Sequence, residues 1–129
     1  MESEAVIKFR DGTIIADGKT IDAKSLPWNE HASFKGVYLK HLVKGELTGG
    51  RLSCHLIQIK AGHAIGDHLH PDKWELHEII EGSGTGVVNG EEIAYTPGVM
   101  SVIPEGISHK VIAGQREMYL LAKFVPALL

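Results

Sequence analysis

The sequence predicts an all-β domain folded as a sandwich or barrel. Three observations carry that expectation. Fifteen glycines are spread among short apolar runs over 129 residues. Turn dipeptides recur between those runs, Asn89-Gly90 being the strongest. No segment sustains the apolar period of a helix. Short strands joined by regular turns pack as antiparallel sheets.

In chain order, segments 6–10 and 13–16 read as two short strands around Asp11-Gly12, and Asp17-Gly18 makes a second turn. Segment 21–29 contains Pro27 and Trp28 and is expected to wrap the outside. Segments 36–44 and 52–60 are strands separated by a loop at 45–50, and Ala61-Gly62 ends the second. A strand around His68 and His70 follows, then the turn Pro71-Asp72-Lys73 and a strand over 75–80. Gly82-Ser83-Gly84 leads into strands 85–88 and 91–94, joined by Asn89-Gly90. Pro97-Gly98 turns the chain again, and segments 99–103, 108–113 and 117–125 complete a set of about ten strands. Gly82-Ser83-Gly84-Thr85-Gly86 is glycine-rich but joins two strands, whereas phosphate-binding loops feed a helix N-terminus. No nucleophile elbow, Walker loop or dinucleotide fingerprint occurs.

The length suits one domain with its own core. A net charge of −3 argues against nucleic acid or an anionic membrane as partner. Cys54 is the single cysteine, so no intramolecular disulfide forms, and its apolar surroundings make it a buried structural thiol. The acidic start Met1-Glu2-Ser3-Glu4 lacks a signal-peptide apolar region, and no apolar run is long enough to span a membrane. A cytoplasmic location is the expectation.

Four metal-ligating side chains stand at a telling spacing. The first segment reads Gly62-x5-His68-x-His70-x4-Glu75-x6-Gly82, and the second Gly98-x5-Pro104-x-Gly106-x2-His109. His68 and His70 are two residues apart, so on a strand they share a face. The turn at Pro71 is expected to bring strand 75–80 back antiparallel, with Glu75 beside the pair. His109 arrives from far along the chain after Pro104-Glu105-Gly106. Three neutral imidazoles and a carboxylate suit one divalent transition ion (Mn, Fe, Co, Ni, Cu or Zn). Four protein ligands on an octahedral ion leave two positions for water or substrate. Ordinary surface histidines are the alternative reading.

Both segments resemble the two motifs of the cupin family, over residues 62–113. The family's second motif ends in Asn where this chain has Ala113; that Asn is no metal ligand. The resemblance implies a double-sheet jelly-roll barrel with a metal inside one end. It also implies a homodimer, often built by N-terminal strands. On this reading residues 35–129 form the barrel domain, and residues 1–34 pack on its edge or on a partner subunit.

His77 lies two residues beyond Glu75 and should share its inward face. Four readings stay open: general acid or base, fifth ligand, a residue orienting Glu75, or a buried structural histidine. Glu78 is the rival carboxylate, but alternation turns it outward, and the spacing to Gly82 selects Glu75. Tyr38 and Lys40 share a face and are candidates to reach a substrate, with His41 pointing the other way. His55, in phase with Ile57 and Ile59, is a candidate for the barrel interior. His63 either lines the rim or sits in an exposed loop, and His31 lies in a polar loop. Trp28, Trp74 and Phe124 read as core or interface residues, with Trp74 pointing away from the metal.

The leading function is a small-molecule metalloenzyme. Its ion would act as Lewis acid for isomerase, lyase or cyclase chemistry on an oxygen-rich substrate, with His77 as candidate acid/base. A metal-dependent dioxygenase, a non-catalytic ligand sensor and a closed structural metal site are the alternatives.

Overall fold

A computed structural model describes residues 2–129. The first element departs from expectation: residues 6–10 are not a strand but part of a helix, α1, Glu4–Arg10. Its seven residues are too few to display a helical period, yet its ends carry the local signals. Ser3 accepts a hydrogen bond from the Val6 N–H, Glu4 occupies the first turn, and Lys8 and Arg10 the last, as the helix dipole favours. The turn at Asp17-Gly18 joins β1 (Thr13–Ala16) to β2 (Lys19–Asp22), with both turn residues left-handed at φ 47° and 74°. A 3₁₀ turn, Ala23–Ser25, and β3 (Trp28–Glu30) complete the N-terminal segment.

The remaining strands are β4 (Val37–Val43), β5 (Ser53–Ile59), β6 (Ala64–His68), β7 (Trp74–Glu81), β8 (Gly84–Val88), β9 (Glu91–Tyr95), β10 (Met100–Ile103), β11 (His109–Ala113) and β12 (Met118–Val125). They form a six-stranded sheet, β10-β7-β12-β5-β4-β3, and a four-stranded sheet, β6-β11-β8-β9. All pairings are antiparallel. This is the all-β jelly roll that the sequence predicts.

Alternation along the strands sorts the side chains into two packed layers. Val37, Ile57, Ile59, Ile65, Ile79, Val111 and Leu120 face inward and fill the space between the sheets. Leu42, Leu56 and Leu121 face outward from the six-stranded sheet and are covered by Ala23, Ile14, Leu26 and Trp28 of the N-terminal segment. That segment also contributes β3, which extends the sheet beyond β4.

One expected pairing does not form. Strands β6 and β7 are not ladder neighbours: β6 pairs with β11, whereas β7 lies between β10 and β12 in the other sheet. The turn at Pro71–Lys73 therefore carries the chain across the sandwich. His68 and Glu75 meet face to face between the sheets, not side by side along one.

Gly86 on β8 sits under the buried Tyr95 ring, where an added Cβ would approach within 2.4 Å of the ring. Gly86→Ala should therefore destabilise the fold by about 1–3 kcal/mol through overpacking. A melting curve would show this as a loss of several degrees in Tm, and an unchanged Tm would contradict the packing.

Candidate metal centre

Each of the four motif side chains is positioned by its own local device. His68 ends β6 directly opposite His109 on β11, and a bulge between His109 and Val111 adjusts the register there. The two rings lie 4.2 Å apart between centroids. His70 lies past the end of β6, so the strand does not extend over both histidines. Its carbonyl accepts the N–H of Gly106, which ties the first motif to the turn that precedes His109. Gly106 has φ 75°, a backbone state that favours glycine. Glu75 approaches from the inner face of β7, only 5 % exposed.

The ring tautomers follow from the hydrogen bonds. His68 Nδ1–H donates to the Gly66 carbonyl at 2.8 Å, and His109 Nδ1–H donates to the Ile107 carbonyl at 2.9 Å. Both rings thereby turn Nε2 toward the cluster. His109 Nε2 lies 2.9 Å from Glu75 Oε1, and His70 Nε2 is 3.7 Å from the same oxygen. The donor atoms of His68, His70, Glu75 and His109 all lie within 4.8 Å of one another. Ligand bonds of about 2.0–2.2 Å to one central ion need only a small contraction from there. The donor set therefore fits a divalent transition ion.

His77 completes the arrangement from behind. Its Nε2–H donates to Glu75 Oε2 at 2.7 Å, and its Nδ1 accepts the Tyr95 hydroxyl at 2.9 Å. Both ring nitrogens are thus engaged, and the ring is buried.

The electrostatics follow from these contacts. Burial pulls the Glu75 carboxyl up, but the neighbouring His77 and the hydrogen bonds from His109 and His77 outweigh it and hold it below the ordinary range. Burial pulls His109 down, but the bond and charge of Glu75 raise it overall. His68 and His70 are lowered, first by burial. Proton and metal therefore compete for one location, the His109–Glu75 gap.

Residues 55–122 match the Cupin domain family, over half of the chain. The chain belongs to the cupin family. Among solved structures, this cupin is similar to a predicted oxalate decarboxylase from Thermotoga maritima, with 20 % identity and a TM-score of 0.74 over 80 % of this chain and 95 % of that one. It is similar to KdgF from Halomonas sp., with 18 % identity and a TM-score of 0.69 over 78 % and 86 % of the two chains. It is also similar to ectoine synthase from P. lautus, with 27 % identity and a TM-score of 0.65 over 73 % and 67 %. No curated protein sequence matches the chain.

The other candidate residues of this cupin lie apart from the cluster, for reasons of phase and layer. Lys40 faces outward, buried under the N-terminal segment, where its ammonium donates to the Arg10 carbonyl at 2.7 Å. Tyr38 shares that outer phase. Neither faces the metal centre. His55 is fully buried inside the barrel, 2.8 Å from His41 Nδ1 and 2.8 Å from Ser53 Oγ, with the Phe124 ring beside it. Phe124 in turn packs on His70 and separates the two histidine groups. His63 is exposed at the start of β6, while His68 ends that strand, so it sits at the opposite end of the barrel. Glu78 faces outward and pairs with Lys123 at 2.6 Å. Burial pushes the Cys54 thiol up to about 11, which keeps it unreactive.

Two contributors escaped the sequence reading. Tyr95 reaches His77 from the facing sheet, and only the empty volume at Gly86 hints at it. Phe34 packs on Gly66 and on the His68 ring. It comes from a polar loop with no periodic signal. His31 organises that loop, its Nδ1 accepting the N–H groups of Ser33 and Phe34.

Burial, then the neighbouring His41, hold His55 down to about 4, against about 6.5 when unfolded. Between those values the unfolded chain binds more protons than the folded one, so stability falls as pH falls through the window. The Tm of chelator-treated protein should decrease from pH 6.5 to 4, and His55→Gln should flatten that slope. Parallel profiles for the two proteins would contradict this role.

Proposed function

We propose that this cupin holds one divalent transition metal through His68, His70, His109 and Glu75 and uses it in small-molecule chemistry. The observation that carries this reading is the convergence of four donor atoms within 4.8 Å of one another. When bound, such an ion supplies a Lewis acid for an oxygen-rich ligand. Isomerase, lyase or cyclase chemistry is the favoured class. Solved cupins of similar fold described as a sugar phosphate isomerase and an ectoine synthase support it.

The chain's own residues take distinct parts. Glu75 brings the one negative charge of the donor set. His77 holds the second Glu75 oxygen, and Tyr95 fixes His77 in turn. A general base needs a free lone pair facing the substrate, whereas both His77 nitrogens are engaged. Orienting Glu75 is therefore the better supported role for His77. That engagement also favours, as the second reading, a ligand sensor that turns nothing over.

A homodimer fits the outer surface. Trp74, Met100, Val102 and Val125 stand exposed together on β7, β10 and β12. Residues 1–34 are read as the arm that covers the rest of this face. Among the described residues no helix is long and apolar enough to cross a membrane. A single cysteine accords with the proposed cytoplasmic location.

Elemental analysis and titration should find one metal per chain, with affinity rising from pH 6 to 8 as protons are displaced. Glu75→Gln and His109→Ala should each weaken uptake by on the order of a hundredfold. His77→Gln should keep the stoichiometry and weaken affinity by about 10–100-fold. A wild-type protein that takes up no metal would overturn the proposal.

A further inference from the structure

The N-terminal segment does not fill all the space over the outer face of the six-stranded sheet. Between the two lies a cavity of about 350 Å³. Its floor crosses four neighbouring strands, with Leu42 on β4, Cys54 on β5, Leu121 and Lys123 on β12, and Glu78 on β7. Phe9 of α1 and Ile14 of β1 form its roof. The helix is docked lightly: Val6 is its buried residue, and Phe9 keeps 46 % of its surface exposed. Small-molecule sites of this volume combine apolar walls with a few polar groups. The cavity is separate from the metal centre, because Glu78 faces it from the side of β7 opposite to Glu75 and His77.

The polar groups of the floor define the occupant. Glu78 Oε1 is out of water and meets Lys123 Nζ at 2.6 Å, without a directed hydrogen bond among the described residues. The Cys54 thiol beside them stays protonated, since burial pushes it up to about 11. Lys8 is the other charged residue of the lining, and it pairs with Glu4 in solvent at 3.1 Å. Each cation has its own carboxylate, so the cavity carries no net charge. A charged ligand would break the Glu78–Lys123 pair and bring an uncompensated charge into an apolar site. A hydroxyl does neither, because it donates to the carboxylate and accepts from the ammonium.

We propose that this cavity is a second ligand site, which takes a small uncharged alcohol with an apolar body, its hydroxyl set between Glu78 and Lys123. The body lies against Phe9, Leu42 and Leu121. The site is independent of the metal reading, and it stands or falls by its own test.

That test titrates the full chain with benzyl alcohol, benzoate and benzylamine, three probes that share one ring and differ in charge at neutral pH. Side-chain methyl signals are followed by NMR. Benzyl alcohol should shift Ile14, Leu42 and Leu121 and leave Ile65 and Ile79, between the sheets, unmoved, with a Kd on the order of 1 mM. Benzoate and benzylamine should bind about tenfold more weakly or worse. Cys54→Leu fills the floor and should abolish the shifts. Glu78→Gln keeps the shape but leaves Lys123 unpaired, so benzoate should gain on the order of tenfold and overtake benzyl alcohol. A wild type whose Ile14, Leu42 and Leu121 signals do not move overturns the site. So does a folded Cys54→Leu that binds benzyl alcohol as the wild type does. A wild type that prefers either charged probe, or a Glu78→Gln protein with an unchanged order of affinities, overturns the assignment of the ligand.

Discussion

A carboxylate buried between imidazoles is the constraint around which this molecule is arranged. Glu75 sits on the inner face of β7, out of water, and a buried charge persists only when it is paired and hydrogen-bonded. One oxygen meets His109 from the facing sheet, and the other meets His77 from its own strand. Replacing either histidine leaves one Glu75 oxygen without its partner, and the His109 contact ties the two sheets together at this end of the barrel. A pair of this kind is weak evidence for stability, because desolvation offsets much of its attraction. Its presence is better explained by what it prepares: an oxygen and three imidazole nitrogens aimed at one point.

The two sheets divide the work. The four-stranded sheet supplies His68 and His109, held in register by a bulge and aimed by bonds from Nδ1 to nearby carbonyls. The six-stranded sheet supplies Glu75 and His77 in one inward phase. His70, on the crossing between the sheets, is fixed by the Gly106 N–H. Val37, Ile57, Ile59, Ile65 and Leu120 fill the space between the sheets. The outer face of the six-stranded sheet is a second environment, where the N-terminal segment buries Lys40 and an apolar layer of its own.

Much of this was legible because spacing and alternation are local properties of the chain. Asn89 and Gly90 adopt left-handed backbones, at φ 52° and 79°, as their dipeptide requires. The period of two separates Glu75 from Glu78 without any knowledge of the partner strands. The limits arise where tertiary choices decide. Helix α1 is stabilised by a cap and a single buried face, which seven residues do not display as a period. Pro71–Lys73 marks a turn, yet a turn does not say whether the chain returns along the same sheet or crosses to the other. The shared face of Tyr38 and Lys40 was readable, but which side of the sheet it occupies depends on residues far away. Tyr95 and Phe34 act through packing across the barrel, on Gly86 and Gly66, and the sequence does not show which ring fills the space over a glycine.

X-ray absorption at the metal edge of the loaded protein tests the central claim most directly, because it reports ligand identity without assuming a reaction. The account predicts about three imidazole rings and additional oxygen donors at roughly 2.0–2.2 Å, with no sulfur. A spectrum without imidazole scattering, or with a sulfur shell contributed by Cys54, would contradict it.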